Sequence, residues 1–123
     1  MTAPAESTTG IYGPMETEFR AKRAAGRKLL VPYVTGGLAG WQQAIRAAAD
    51  AGADAIEIGL PFSDPVMDGP VIQEASQRAL EAGININIIF DEARELDVEI
   101  PLSVMCYYNT IHHAGHELSL IHI

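Results

Sequence analysis

Short apolar runs alternate along the chain with stretches whose apolar residues recur at helical spacing. Residues 29–35 and 55–59 are compact apolar runs that close on glycine and contain β-branched side chains, which predicts two strands. Between them, Trp41 and Ile45 begin a helical pattern that stops where Gly52 suits a left-handed C-terminal cap. Strand, helix and strand in this order predict a βαβ unit.

Two further helices are predicted from the residues that start and stop them. A charged, alanine-rich stretch favours a helix from Met15 to about residue 25, ended by Gly26. Pro70 stands at a favoured first helical position, and the helix that it opens runs to Gly83. Residues 1–14 are mostly small and polar, and we expect them to form a flexible tail.

Residues 84–96 carry two competing patterns. Their isoleucines first alternate with asparagine as in a strand, whereas the second half has the composition of a helix. We predict a helix with Asn85 as its N-cap, because a strand would leave the second half unexplained. A third strand, residues 102–107, is then entered through Pro101.

Strands that alternate with helices predict an α/β fold with a parallel sheet and right-handed crossovers. Such a sheet is either open and doubly wound or part of a barrel. Three strands are too few for a closed barrel, which takes eight strands and about 250 residues. The pattern therefore indicates either a small fold or part of a larger one.

Composition and charge limit the kinds of partner. With 123 residues, 48% of them hydrophobic, the chain suits a single globular domain. Its formal net charge of -8 at pH 7 argues against binding to nucleic acid or to an anionic membrane, since both are polyanions. It has no apolar run of the roughly 18 residues that a membrane span needs. A single cysteine, Cys106, excludes an internal disulfide, so we expect a cytoplasmic protein.

Glu57 is an acidic residue inside the second apolar strand. Its side chain is expected to face away from those of Ile56 and Ile58, because side chains alternate along a strand. Both faces of a parallel sheet are usually buried, and burial would raise the pKa of this carboxyl and suit it to proton transfer. Its place near the carboxyl end of the strand is where α/β folds carry their sites. The alternative is an ion pair with a helix arginine.

Two aspartates follow in the loop after this strand. Asp68 precedes a predicted helix, so it is either a site carboxylate or a helix-terminal residue near the positive end of the dipole. Asp64 precedes Pro65, and we expect it to be a turn residue that bonds its own backbone. Prolines stiffen this loop by restricting its unfolded forms, which favours a fixed site or contact surface.

Two other groups of reactive residues are given structural interpretations. His112 and His116 lie one helical turn apart, but the HExxH order and a companion cysteine are missing, so we predict no metal site. Cys106 lies in an apolar run with no electropositive neighbour, which indicates a packed thiol rather than a nucleophile.

Three segments together resemble one enzyme family. They are LLVPYVTGG, DAGADAIEIGLPFSDPVMDGPVIQEASQRAL and MCYYN, and they resemble, in the same order, the first three strands of the tryptophan synthase alpha chain. The resemblance spans about residues 19–117, somewhat under half of a protein of that family. It implies a partial (β/α)8 TIM barrel, with the first three βα units and an N-terminal helix in residues 15–117.

The resemblance also implies a reaction and the residues that perform it. The family cleaves indole-3-glycerol phosphate into indole and glyceraldehyde 3-phosphate, a retro-aldol lyase reaction of tryptophan biosynthesis that needs no cofactor. Glu57 matches the catalytic acid and base, and Asp68 matches the carboxylate that holds the indole N–H. Tyr33 and Tyr107 would line the indole slot, although ordinary core packing explains them equally well from the sequence alone.

A partner and a missing site are implied as well. Pro61 and Asp64 fall in the loop that meets the beta subunit in an α2β2 assembly. The family binds the substrate phosphate through late loops, around its seventh and eighth strands, and these are absent here. We therefore expect negligible turnover from this chain alone. The alternatives are a half barrel that only docks a beta subunit, or another phosphate-binding barrel such as a sugar-phosphate epimerase.

The last six residues, LSLIHI, follow without a recognisable cap or pattern. They resemble the translation of a transposase end used in preparing sequencing libraries. We expect residues 118–123 to be non-native, the alternative being an ordinary apolar C-terminal strand.

Overall fold

The computed structural model describes residues 12–114 of the chain. The predictions for most of the N-terminal tail, for His116 and for residues 118–123 lie outside these residues. Within them the chain forms five helices and three strands: α1 Pro14–Ala24, β1 Tyr33–Thr35, α2 Trp41–Asp50, β2 Ile56–Gly59, α3 Pro70–Glu81, α4 Ile86–Arg94, β3 Leu102–Met105 and α5 Tyr108–Ala114.

The three strands form a parallel sheet in the order β1-β2-β3. In its register Glu57 lies between Tyr33 on one side and Ser103 on the other, so these three side chains share one face of the sheet. Parallel neighbours joined through helices confirm the predicted α/β pattern.

The opposite face of the sheet carries the core. Ile56 and Ile58 are almost completely buried there, as the alternation along β2 predicted. Helices α2 and α4 add Trp41, Ile45, Ile89 and Phe90 to the same cluster. Burying each large aliphatic side chain in such a cluster contributes roughly 1.5–3 kcal/mol. The sheet is thus anchored on one face, and the face with Glu57 is left for other contacts.

The helix ends follow the predicted signals. The Asn85 side chain accepts a hydrogen bond from the Ile88 N–H at 3.0 Å, so the helical prediction for residues 84–96 is confirmed. Gly52 has a φ of 100°, the left-handed conformation expected at a C-terminal cap. No helix within residues 12–114 is both long and apolar enough to cross a membrane.

The first and third strands are shorter than predicted. Before β1, Pro32 lacks an N–H, and both backbone groups of Leu30 bond to Asp54 rather than to a strand partner. After β3, Tyr107 belongs to the turn into α5, where its carbonyl accepts a hydrogen bond from the Thr110 N–H at 3.0 Å. The helix α5 was not predicted.

Candidate active site

The site is built where the carboxyl ends of the three strands meet one loop. Tyr33 of β1 extends across the end of β2, and its ring lies directly over Gly59. A Cβ atom at residue 59 would overlap the phenol hydroxyl and lie 2.7 Å from ring atom Cε2. The absence of a side chain at Gly59 is therefore what lets Tyr33 occupy this position.

A cavity of about 330 Å³ opens beside Tyr33 at this edge, a volume at the lower end of ligand pockets. Three predicted site residues share its wall, namely Tyr33, Asp68 and Tyr107. The wall is completed by Leu60, Met67, Met105, Cys106 and Tyr108. It thus combines aromatic and apolar surface with one carboxylate, as expected of a slot for a flat aromatic ligand with a polar N–H.

Asp68 is held from several directions. Its carboxylate oxygen Oδ2 accepts a hydrogen bond from the Tyr107 hydroxyl at 3.3 Å, and its carbonyl oxygen accepts one from Gln73 Nε2 at 2.8 Å. The Asp68 N–H donates to the Pro65 carbonyl at 3.1 Å, which closes the turn that precedes α3. The carboxylate is half-buried at the cavity wall.

Glu57 stands on the same sheet face as Tyr33 but is not part of the cavity wall. The sequence predicted a buried carboxylate; instead Glu57 is half-buried, because the core cluster packs on the opposite face of the sheet, with Ile56 and Ile58. The alternative ion pair is not observed, since none of the salt bridges among residues 12–114 involves Glu57.

Electrostatics connect the two carboxylates through Tyr33. Burial is the main cause that raises the pKa of the Tyr33 hydroxyl above its usual value, and a hydrogen bond with the Thr35 side chain opposes the shift. The negative charges of Asp68 and Glu57 add to the increase in this pKa. Tyr33 is therefore a neutral hydroxyl at physiological pH, placed within the fields of both acids.

The loop that carries Pro61 and Asp64 forms the rim of the site. Pro61 is half-buried and Asp64 is exposed, with the Asp64 carbonyl accepting a hydrogen bond from the Val66 N–H at 2.9 Å. Asp64 therefore lies in a turn as predicted, but the bond that closes this turn is made by its backbone carbonyl and not by its side chain. Beyond it, the side chains of Val66 and Met67 are 72% and 85% exposed.

Of the other reactive residues, only those within residues 12–114 can be placed. Residues 12–114 contain no group of three histidine, cysteine, aspartate or glutamate side chains placed to hold a metal ion. Burial raises the pKa of the Cys106 thiol, which disfavours the thiolate that a nucleophile would need.

Three polar or aromatic partners were not identified from the sequence. Asp54 is only 2% exposed and accepts hydrogen bonds from the Leu30 N–H, Lys22 and Arg27, which fastens α1 and the entry to β1 beside β2. A carboxylate inside the apolar stretch before β2 was the sequence feature that could have indicated this buried ion pair. Phe62 stacks on Tyr107, which is distant in the sequence, and Gln73 of α3 bonds to Asp68 of the preceding loop; neither contact could be identified from a local pattern.

Comparison with known proteins decides the family. The family model described as tryptophan synthase alpha chain matches residues 19–122. The chain belongs to that family. The alpha chain of Alkalilimnicola ehrlichii is 44% identical over 107 residues, covering 82% of this chain and 39% of the relative. That of Microcystis aeruginosa is 40% identical over 107 residues, covering 83% and 40%.

Solved structures agree in fold. A chain of tryptophan synthase from Mycobacterium tuberculosis, in an aminoacrylate-bound form, superposes with a TM-score of 0.82 at 28% identity, covering 90% of this chain and 47% of that one. The alpha subunit from Legionella pneumophila gives 0.76 at 33% identity, covering 85% and 42%. The predicted family and the predicted partial TIM barrel are both confirmed. This chain spans about two fifths of the length of its curated relatives.

Proposed function

We propose that this chain carries the acid–base part of a lyase site that cleaves indole-3-glycerol phosphate into indole and glyceraldehyde 3-phosphate. The observation that carries the proposal is the convergence of Tyr33, Asp68 and Tyr107 on one cavity, with Glu57 beside Tyr33 on the same sheet face. Membership of the tryptophan synthase alpha chain family supports the choice of reaction.

In this mechanism Glu57 takes part in two proton transfers, giving one proton and accepting a different one. Its protonated carboxyl donates to the indole carbon that bears the glycerol chain, and the ring becomes cationic. The carboxylate then accepts the proton of the adjacent glycerol hydroxyl as the carbon–carbon bond breaks. The bond electrons return to the ring, the hydroxyl carbon becomes an aldehyde, and no cofactor or water is consumed.

Asp68 and the two tyrosines provide the surroundings for this step. The Asp68 carboxylate accepts a hydrogen bond from the indole N–H and stabilises the positive charge on the ring, an interaction that is strongest in the transition state. The rings of Tyr33 and Tyr107 hold the flat indole between apolar surfaces. Since this wall carries a carboxylate and no cation, the substrate phosphate would bind away from it.

A second, compatible function is docking to a beta subunit through the loop of residues 61–68, in an α2β2 assembly. The exposed apolar side chains of Val66 and Met67 favour a protein contact at this rim, because a folded surface seldom exposes large neighbouring apolar groups without a use. Docking without turnover is the outcome if the acid–base part proves inactive. The cytoplasmic location stays a prediction from the sequence.

The reaction is tested in a chimera, in which residues 1–117 replace the matching part of the Alkalilimnicola ehrlichii alpha chain. We expect the chimera to release indole from indole-3-glycerol phosphate, and Glu57→Gln to lower kcat by about 100-fold or more, as for loss of a general acid. The matched control is Glu99→Gln, the same change at an exposed residue outside the cavity wall. Equal indole release by the Glu57→Gln and Glu99→Gln chimeras would refute the proposal.

A further inference from the structure

We infer that Tyr107 is a positioning residue, which holds the loop of residues 61–69 near both of its ends and thereby sets the place of Asp68 in the cavity. Its expected effect on kcat rests on the proposed function. Its structural part, the attachment of the loop, rests on contacts alone.

The Tyr107 hydroxyl holds the C-terminal part of the loop. It accepts a hydrogen bond from the Met67 N–H at 2.9 Å and donates one to Asp68 Oδ2 at 3.3 Å. The first bond has ordinary length and fixes the backbone next to Asp68; the second is longer and points the carboxylate. One oxygen atom thus connects the backbone and the side chain of adjacent residues.

The Tyr107 ring holds the N-terminal part of the same loop. Phe62 stacks on it, with ring centroids 5.0 Å apart and an interplanar angle of 28°. Stacked aromatic pairs contribute beyond their buried area and restrict the orientation of both rings. Phe62 and Met67 lie on either side of the turn closed by Val66 and Asp64, so one side chain supports both halves of the loop.

The position of Tyr107 gives this support its effect. It lies two residues after the end of β3, and the parallel pairing of β3 with β2 places this segment beside the strands that carry Glu57 and Tyr33. The hydrogen bonds within the loop, and those from Gln73, fold the loop on itself and onto α3. Tyr107 adds a connection from the loop to the segment that follows β3, and we infer that this connection holds Asp68 in place relative to the acid on β2.

The arrangement also suits the expected ligand. A carboxylate has two oxygens that each accept hydrogen bonds, and the Tyr107 hydroxyl uses one lone pair of Oδ2. The other oxygen, Oδ1, can then accept a substrate N–H with its direction already fixed. Preorganised charge of this kind loses little free energy to rearrangement when the ring becomes cationic.

The test is Tyr107→Phe, which keeps the ring and its stacking on Phe62 but removes both hydroxyl bonds. Hydrogen exchange is measured in the 123-residue chain and in the chimera, and kcat and KM are measured in the chimera. We expect the backbone amides of residues 61–69, apart from the two prolines, to exchange about tenfold faster while those of α3 are unchanged, because both hydroxyl hydrogen bonds to the loop are lost. We expect kcat to fall about tenfold and KM to change by less than about twofold. The matched control is Tyr12→Phe, which lies against Arg20 away from the cavity.

Each result decides the inference. Faster loop exchange together with lower kcat supports a positioning role. Unchanged loop exchange overturns it, as does faster exchange with unchanged kcat, or a raised KM with unchanged kcat, which would indicate that the Tyr107 hydroxyl itself contacts the substrate. If the unsubstituted chimera releases no indole, the proposed function fails, and the exchange rates still decide whether Tyr107 holds the loop.

Discussion

Replacing Gly59 with alanine should displace Tyr33 from the cavity. A Cβ at residue 59 would overlap the Tyr33 hydroxyl and crowd its ring, whereas the strand backbone there has no positive φ that would strain alanine. The whole effect therefore comes from the collision between two side chains. Small-to-large changes of this kind cost about 1–3 kcal/mol in the free energy of unfolding.

A double-mutant cycle isolates this collision. In the chimera, urea unfolding is followed for Gly59→Ala alone, Tyr33→Ala alone and the two together. Tyr33→Ala removes the ring, so Gly59→Ala should then cost less than about 0.5 kcal/mol, which gives a coupling energy of about 1–3 kcal/mol. An equal loss of stability with and without the Tyr33 ring would refute the packing described for the end of β2.

Two further predictions concern the framework around the site. Hydrogen bonds from the Leu30 N–H and, second, from Lys22 hold the pKa of Asp54 below its usual value, so this stabilisation is present at neutral pH and lost as the pH falls through the folded-state pKa. Asp54→Asn should therefore lower the urea midpoint of unfolding at pH 7 and lower it much less near pH 3. A loss equal at both pH values, or equal to that of the exposed control Asp97→Asn, would contradict this prediction. Asn85→Ala should lower the free energy of unfolding in urea by about 1 kcal/mol, because the Ile88 N–H loses its hydrogen bond to the capping side chain. Asn87→Ala, at an exposed helical position, should cause no such loss, and equal losses for the two variants would argue against the cap.

Local signals predicted the helices and the sheet well. Asn85, Pro70 and Gly52 act through their own backbone or the next few residues, so their effects are readable from short windows. Alternation around Glu57 likewise predicted that Ile56 and Ile58 would share the face opposite to it. The resemblance to the family predicted Tyr33, Asp68 and Tyr107 as site residues, and these three share one cavity wall.

The remaining features depend on contacts between distant residues. The first strand is shorter than predicted because Leu30 pairs with Asp54, 24 residues away, and no local pattern encodes that pairing. The bond between Met67 and Tyr107 spans 40 residues and is equally invisible in the sequence. The predicted burial of Glu57 is only partly met, because the core cluster lies on the opposite face of the sheet and the packing of each face depends on elements distant in the sequence.

The most direct test of the central claim is the rate at which the Glu57→Gln chimera forms indole at saturating indole-3-glycerol phosphate. If Glu57 transfers the proton, this rate falls by about 100-fold or more while the urea midpoint stays at that of the unsubstituted chimera. A rate within about threefold of the unsubstituted chimera would show that the proton moves through another group.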